Sequence, residues 1–296
     1  MTMVSADGVR ESAGRPGAVY LLGPLVVAGL AAAGVVATYR VFVGTISGQW
    51  LDTAAMLGTD VEHPRVAEIL GRTMDATTLT SLVLVCIVAA AVGLFRKRAD
   101  LAIAAAVLVL AANITTQLLK GSLPRPPSDG LTYPNSLPSG HATAAASVAF
   151  ALVLVLPPAL RATAALIGAA YTAVISIGTV WAQWHRPSDV VAAVLVVLAW
   201  GAVAVLGLRL VRWRRAARPG RPSWLGVVPL LATAAITAPV TVLGLLLGKT
   251  SESMTTTPEP SRLTFLTGAA GTAAVVAIGF LVWLWLTTDD ENIATP

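Results

Sequence analysis

Charge is what this chain has least of. Only 12% of its 296 residues are Asp, Glu, Lys or Arg, and 56% are hydrophobic, whereas soluble domains carry about 25% charged residues. The mean hydropathy of +0.77 agrees, so a soluble globular class is excluded. There is a single cysteine, Cys86, and it falls inside an apolar run. That excludes an internal disulfide framework and a cysteine-based zinc site. No basic stripe lies on a soluble domain, so the net charge of +5 does not point to nucleic acid. Histidine is scarce too, with three in the chain.

Long apolar runs fill the space that charge leaves. An uncharged run of about 20 residues crosses the hydrocarbon core as a helix. Eight such runs are present, over residues 18–39, 76–95, 101–119, 142–160, 162–184, 190–208, 224–248 and 263–288. Pro229 and Pro239 interrupt the seventh, where a kink is expected. The predicted fold class is all-α: a polytopic membrane helical bundle. Residues 1–17 read as a flexible tail, 18–212 as a transmembrane core, 213–223 as a basic linker, 224–288 as two additional membrane helices and 289–296 as a second tail. Residues 41–75 form an amphipathic loop carrying Trp50, Leu51 and Met56, expected as short helices along the interface. Residues 249–262 read as a flexible linker.

The arginines orient the bundle. With eight spans both termini share a side. That side holds Arg10, Arg15, Arg96, Lys97, Arg98, Arg161 and the cluster from Arg209 to Arg221, twelve of the twenty basic residues. Cytoplasmic loops collect Lys and Arg, so both termini are expected in the cytoplasm of a multi-pass plasma-membrane protein.

Three polar islands then fall on the external face. The first carries Lys120, Arg125 and Pro126, the second Pro138, Ser139, Gly140 and His141, and the third His185, Arg186, Pro187, Ser188 and Asp189. Ser139 is a good N-cap for the run behind it, and a helix start binds phosphate through its free N–H groups. Gly140 lets the backbone approach closely, and His141 would stand beside a bound phosphate as a proton donor. Asp189, four residues after His185, can accept from one imidazole nitrogen and leave the other as a nucleophile. Lys120 and Arg125 can clamp phosphate oxygens. Each island alone has a plainer explanation: a capped helix with a surface histidine, an interfacial histidine, snorkelling cations. Their convergence at one face favours a site. His63, in the external loop, has no partner pattern and is expected at the surface. Asn113 and Gln117 are expected to bond between helices.

The second and third islands resemble the type 2 phosphatidic acid phosphatase superfamily, the lipid phosphate phosphatases, over about residues 76–208. That resemblance implies a six-helix core with the active site at its external end and chemistry without a metal or other cofactor. It implies His185 as the nucleophile that becomes phosphohistidine, Asp189 as its orienting partner and His141 as general acid. Lys120, Arg125, Ser139 and Gly140 would hold the phosphate. The chain departs from the family pattern twice. Four residues instead of six separate Lys120 from Arg125, with Leu118 at the usual lysine position. Gly178 and Thr179 stand where the third motif has Ser-Arg. The expected activity is hydrolysis of a lipid phosphate, such as a polyprenyl phosphate or diphosphate or phosphatidic acid, with substrate and membrane lipids as partners. The alternatives on the same residues are a phosphotransferase and a non-catalytic phospholipid or partner-protein binder. A transporter is disfavoured, because transporter sites lie near the bilayer midplane.

Overall fold

The computed structural model describes residues 19–59, 68, 72, 87, 88, 90–127, 134–212, 223–250 and 258–288. The following helices run through them: α1 (Val19–Phe42), α2 (Ile46–Leu57), α3 (Ala99–Ser122), α4 (Gly140–Val155), α5 (Pro158–Trp181), α6 (Pro187–Val211), α7 (Trp224–Thr250) and α8 (Arg262–Thr288). Six of these (α1, α3, α5, α6, α7 and α8) are long and apolar enough to cross a membrane. The fold is an all-helical polytopic membrane bundle. Leu22, Leu30, Ile114, Ile167, Ile236 and Leu247 are among the large apolar side chains left exposed on its outside, as a lipid-facing surface requires. The expected span over 76–95 lies mostly outside the described residues, as do the 1–17 and 289–296 tails, the 213–222 part of the basic linker, His63 and the 251–257 half of the 249–262 linker.

The fourth and fifth runs divide differently from the expectation. α4 stops at Val155 and α5 starts at Pro158, so Leu160 belongs to α5. Pro157 and Pro158 impose this, since the residue before a proline avoids the helical region and proline fits the first helical turn. α4, at 16 residues, is only about 24 Å long. Most of it is buried in the bundle interior. α7 continues as helix through both Pro229 and Pro239.

α6 is the hub and packs against α1, α3, α4 and α8. The two C-terminal helices are part of the same packing, because α8 also contacts α2, α5 and α7. The Trp283 ring stacks on Phe150 at 4.8 Å, and its indole N–H donates to the Phe150 carbonyl at 3.1 Å. Phe280 meets the same Phe150 ring edge-on at 4.9 Å.

One end of the bundle is closed by arginines. Arg96 donates to Val155 O, and Arg161 donates to Leu156 O and Thr287 O. Arg209 donates to Leu286 O and Tyr20 O and lies 4.5 Å over the Tyr20 ring. Arg212 pairs with Asp100. The C-terminal carbonyls of a helix have no partner within it and carry partial negative charge, so these cations complete α4 and α8. α3, α4, α5 and α6 each have their other end at the opposite pole, where all three polar islands sit.

Trp283→Ala removes the largest fully buried side chain and leaves a cavity against Phe150. It is expected to cost about 3–5 kcal/mol, read as a lowered unfolding temperature in detergent. An unchanged temperature would show that α8 does not stabilise the core.

Candidate active site

The third island is shaped by the way α5 ends. Gln183 has a left-handed φ of 60°. Its N–H reaches Val180 O at 3.0 Å, and the Trp184 N–H reaches Thr179 O at 3.0 Å. This is a Schellman turn, the usual helix stop, with Gln in the place glycine commonly fills. The Thr179 carbonyl also accepts the His185 N–H at 3.2 Å. The Thr179 hydroxyl donates to Ser176 O. The residue's backbone anchors the histidine turn.

α6 then starts at Pro187 with Arg186 as N-cap. Asp189, three residues in, folds its carboxylate back over this start. Asp189 Oδ2 accepts from the Arg186 N–H at 3.0 Å and from the Ser136 hydroxyl at 2.6 Å, and lies 3.2 Å from His185 Nδ1. His185 is 5% exposed and Asp189 fully buried. A carboxylate at Nδ1 fixes the tautomer with the proton on that nitrogen, so the Nε2 lone pair is left free.

The second island docks against the third. The Ser139 N–H donates to the Asp189 carbonyl at 2.8 Å. Ser139 is fully buried and its hydroxyl caps α4 by accepting from Ala142 N at 3.4 Å. Gly140 opens the helix. A Cβ at Gly140 would meet nothing closer than Gln117 Nε2 at 3.5 Å, so the backbone there faces open space bordered by the Gln117 amide. The half-buried His141 ring lies 6.3 Å from the His185 ring and 5.6 Å from Trp184. Two imidazoles, one on α4 and one in the turn between α5 and α6, thus lie side by side.

The first island is brought in by bridging side chains. Lys120 sits half-buried in the last turn of α3. Asn135 Nδ2 reaches both Lys120 O (3.5 Å) and Leu137 O (3.1 Å), joining the first island to the second. Arg125 lies in the extended segment after α3, with both terminal guanidinium nitrogens shielded from solvent. The carbonyls on either side of it are held by Tyr39 OH (to Pro124 O, 2.7 Å) and by Gln49 Nε2 (to Pro126 O, 2.9 Å). As expected, Asn113 bonds between helices, from α3 to Ser147 of α4. Gln117 instead ends beside Gly140.

The residues that the sequence did not single out belong to α2. Its apolar residues were expected to lie along the interface, but Leu51, Asp52, Thr53, Ala54, Ala55 and Met56 are all buried. Gly48 makes the fold-back onto α1 possible, since a Cβ there would come within 1.9 Å of Val41 O. Asp52 accepts from both the N–H and the hydroxyl of Ser188, and Thr53 Oγ1 is 3.1 Å from Arg186 Nε. Arg186 Nη1 donates to Ser136 Oγ at 3.3 Å, so this guanidinium is turned toward α2 and the back of Asp189. The one legible signal for α2 was its charge: a carboxylate and a glutamine inside an otherwise apolar stretch.

The described residues also frame an apolar groove between α1, α3 and α6, with a volume of about 390 Å³. Ala28, Val35, Thr115, Leu119 and Trp200 are among its walls. Leu119, in its wall, directly precedes Lys120 in the chain.

Part of this membrane helical bundle is similar to a known family. The family model described as the PAP2 superfamily matches residues 101–214, less than half of the chain, which hold all three islands, α3 from its third residue and α4 to α6. No curated protein and no solved structure matches the chain.

Burial, and then the nearby Asp189 charge, push the Asp52 carboxyl up to about 7 from its usual 3.8. The folded protein thus keeps Asp52 protonated to a higher pH than the unfolded chain does. Its contribution to stability is full below the unfolded value and is lost as pH rises through the folded one. Relative to Asp52→Asn, wild type is expected to lose a few kcal/mol as pH rises from about 4 to about 7, at roughly 1.4 kcal/mol for each pH step of one across that window. Parallel unfolding profiles for the two proteins would contradict this.

Proposed function

We propose that the protein is a lipid phosphate phosphatase of the plasma membrane, acting at the external face through a phosphohistidine. The observation that carries this reading is the pairing of His185, with Nδ1 on Asp189, and His141 at 6.3 Å across the cleft. His185 Nε2 attacks the phosphorus of the headgroup. The P–N bond forms as the bond to the lipid oxygen breaks, and protonated His141 gives its proton to that leaving oxygen. Neutral His141 then takes a proton from water, which attacks the phosphohistidine. The P–N bond breaks and inorganic phosphate leaves. Arg125, Lys120 and the first amides of α4 hold the phosphate oxygens in both steps. The groove between α1, α3 and α6 supports a lipid substrate, because it is walled by apolar residues and could take an apolar chain. The basic excess at the opposite pole supports an external site with cytoplasmic termini.

The cation missing at Thr179 supports a second reading, a binder of phospholipid headgroups without turnover. Losing one preorganised donor typically costs about 10²–10³ in rate, so the two readings differ in measured turnover.

Purified protein is expected to release phosphate from phosphatidic acid or a polyprenyl diphosphate. His185→Ala should lower kcat by at least about 10³, and His141→Ala by about 10²–10⁴. Release that survives in His185→Ala would remove the mechanism. Orthovanadate binding with no release by wild type would establish the second reading.

A further inference from the structure

One face of α2 reaches two of the three islands. Gln49, Asp52 and Thr53 are spaced i, i+3 and i+4 and therefore lie on one side of the helix. All three are buried. Gln49 holds Pro126 O, next to Arg125. Thr53 holds the Arg186 side chain. Asp52 takes the Ser188 N–H at 3.0 Å on one oxygen and the Ser188 hydroxyl on the other. Arg186 and Ser188 lie within the turn, between His185 and Asp189.

Burying a carboxylate is costly, and the cost here is raised by Asp189 nearby and only partly offset by the Ser188 hydrogen bonds and the Arg186 charge. Behind Asp52 lies an apolar cavity walled by Thr241, Thr267 and Gly271 of α7 and α8, so no charged side chain among its walls compensates the carboxylate. Among the described residues, the hydrogen bonds of the Asp52 carboxylate go to Ser188. A buried carboxylate whose hydrogen bonds go to one residue acts on the fold chiefly through that residue.

We propose that Asp52 is a positioning residue of the phosphatase site: by gripping both donors of Ser188 it fixes the first turn of α6, and with it the alignment of His185 Nε2 toward the cleft. Its neighbour Gln49 fixes the cationic loop from the same helix, so α2 sets the separation between the nucleophile and Arg125. The inference rests on the reading of His185 as the nucleophile. Asp52 touches neither substrate nor the reacting atoms.

The test uses full-length protein in detergent, with phosphatidic acid as substrate. A second readout is independent of turnover: the downfield ring proton of the His185 Nδ1–H···Asp189 hydrogen bond, assigned by its loss in His185→Gln. Asp52→Ala is expected to lower kcat about 10- to 100-fold, as a small misplacement of a reacting group does, while KM stays within about 2-fold, and to lose or broaden the proton signal. Asp52→Asn should restore both, because its amide can still accept the Ser188 N–H and donate to the Ser188 hydroxyl. A role in stability alone would lower the unfolding temperature and leave kcat and the signal of folded protein untouched. Folded Asp52→Ala with wild-type kcat and a wild-type signal would overturn the proposal. If Asp52→Ala does not fold, Ser188→Ala decides: a loss of kcat and of the signal supports the proposal, and wild-type values overturn it. If wild type releases no phosphate, the phosphatase reading fails, and the ring proton in Asp52→Ala alone decides the positioning role.

Discussion

Asp189 Oδ2 sits at the meeting point of three donors, from His185, Ser136 and the Arg186 backbone, while the carbonyl of the same residue takes the Ser139 N–H. The side chain and backbone of one buried residue thereby tie the start of α6 to the start of α4. In a low-dielectric interior such bonds are strong, and leaving one unmade is expensive. Moving α4 against α6 would cost several at once. The facing of His141 and His185 follows from this joint.

The bundle separates its polar work into two poles. At one, arginines neutralise the carbonyl ends of α4 and α8 and hold Tyr20 of α1. At the other, the starts of α4 and α6 and the buried Asp52 and Asp189 bring the polar islands together. Between the poles the surface is apolar, so charge can only be stored at the ends. That arrangement suits a reaction at a headgroup whose tail stays in lipid, and the apolar groove below the cationic loop fits the same division.

Much of this was legible in the sequence because it is local. Ser139 before a helical run announces an N-cap, and His185 with Asp189 at i+4 announces a contact within one turn. Among the described residues, the helical runs were legible from apolar length, except at Pro157 and Pro158, where two prolines outweigh a continuous apolar pattern. The role of α2 was not legible. Its partners Arg186 and Ser188 are 133 and 136 residues away, and nothing in the spacing of Gln49, Asp52 and Thr53 says which segment they meet. Thr179 misled in another way. Its side chain departs from the family motif, but the backbone carbonyl still anchors His185, and a Schellman turn built on Gln183 lacks the glycine that usually signals one.

The central claim is that His185 presents Nε2 to the cleft because Asp189 occupies Nδ1. Rapid quenching into alkali during turnover, followed by peptide mapping with resolution of the two phosphohistidine isomers, tests it most directly. The account predicts phosphate on Nε2 of His185. Phosphate on Nδ1, phosphate on His141, or turnover with no phosphoprotein at all would contradict it.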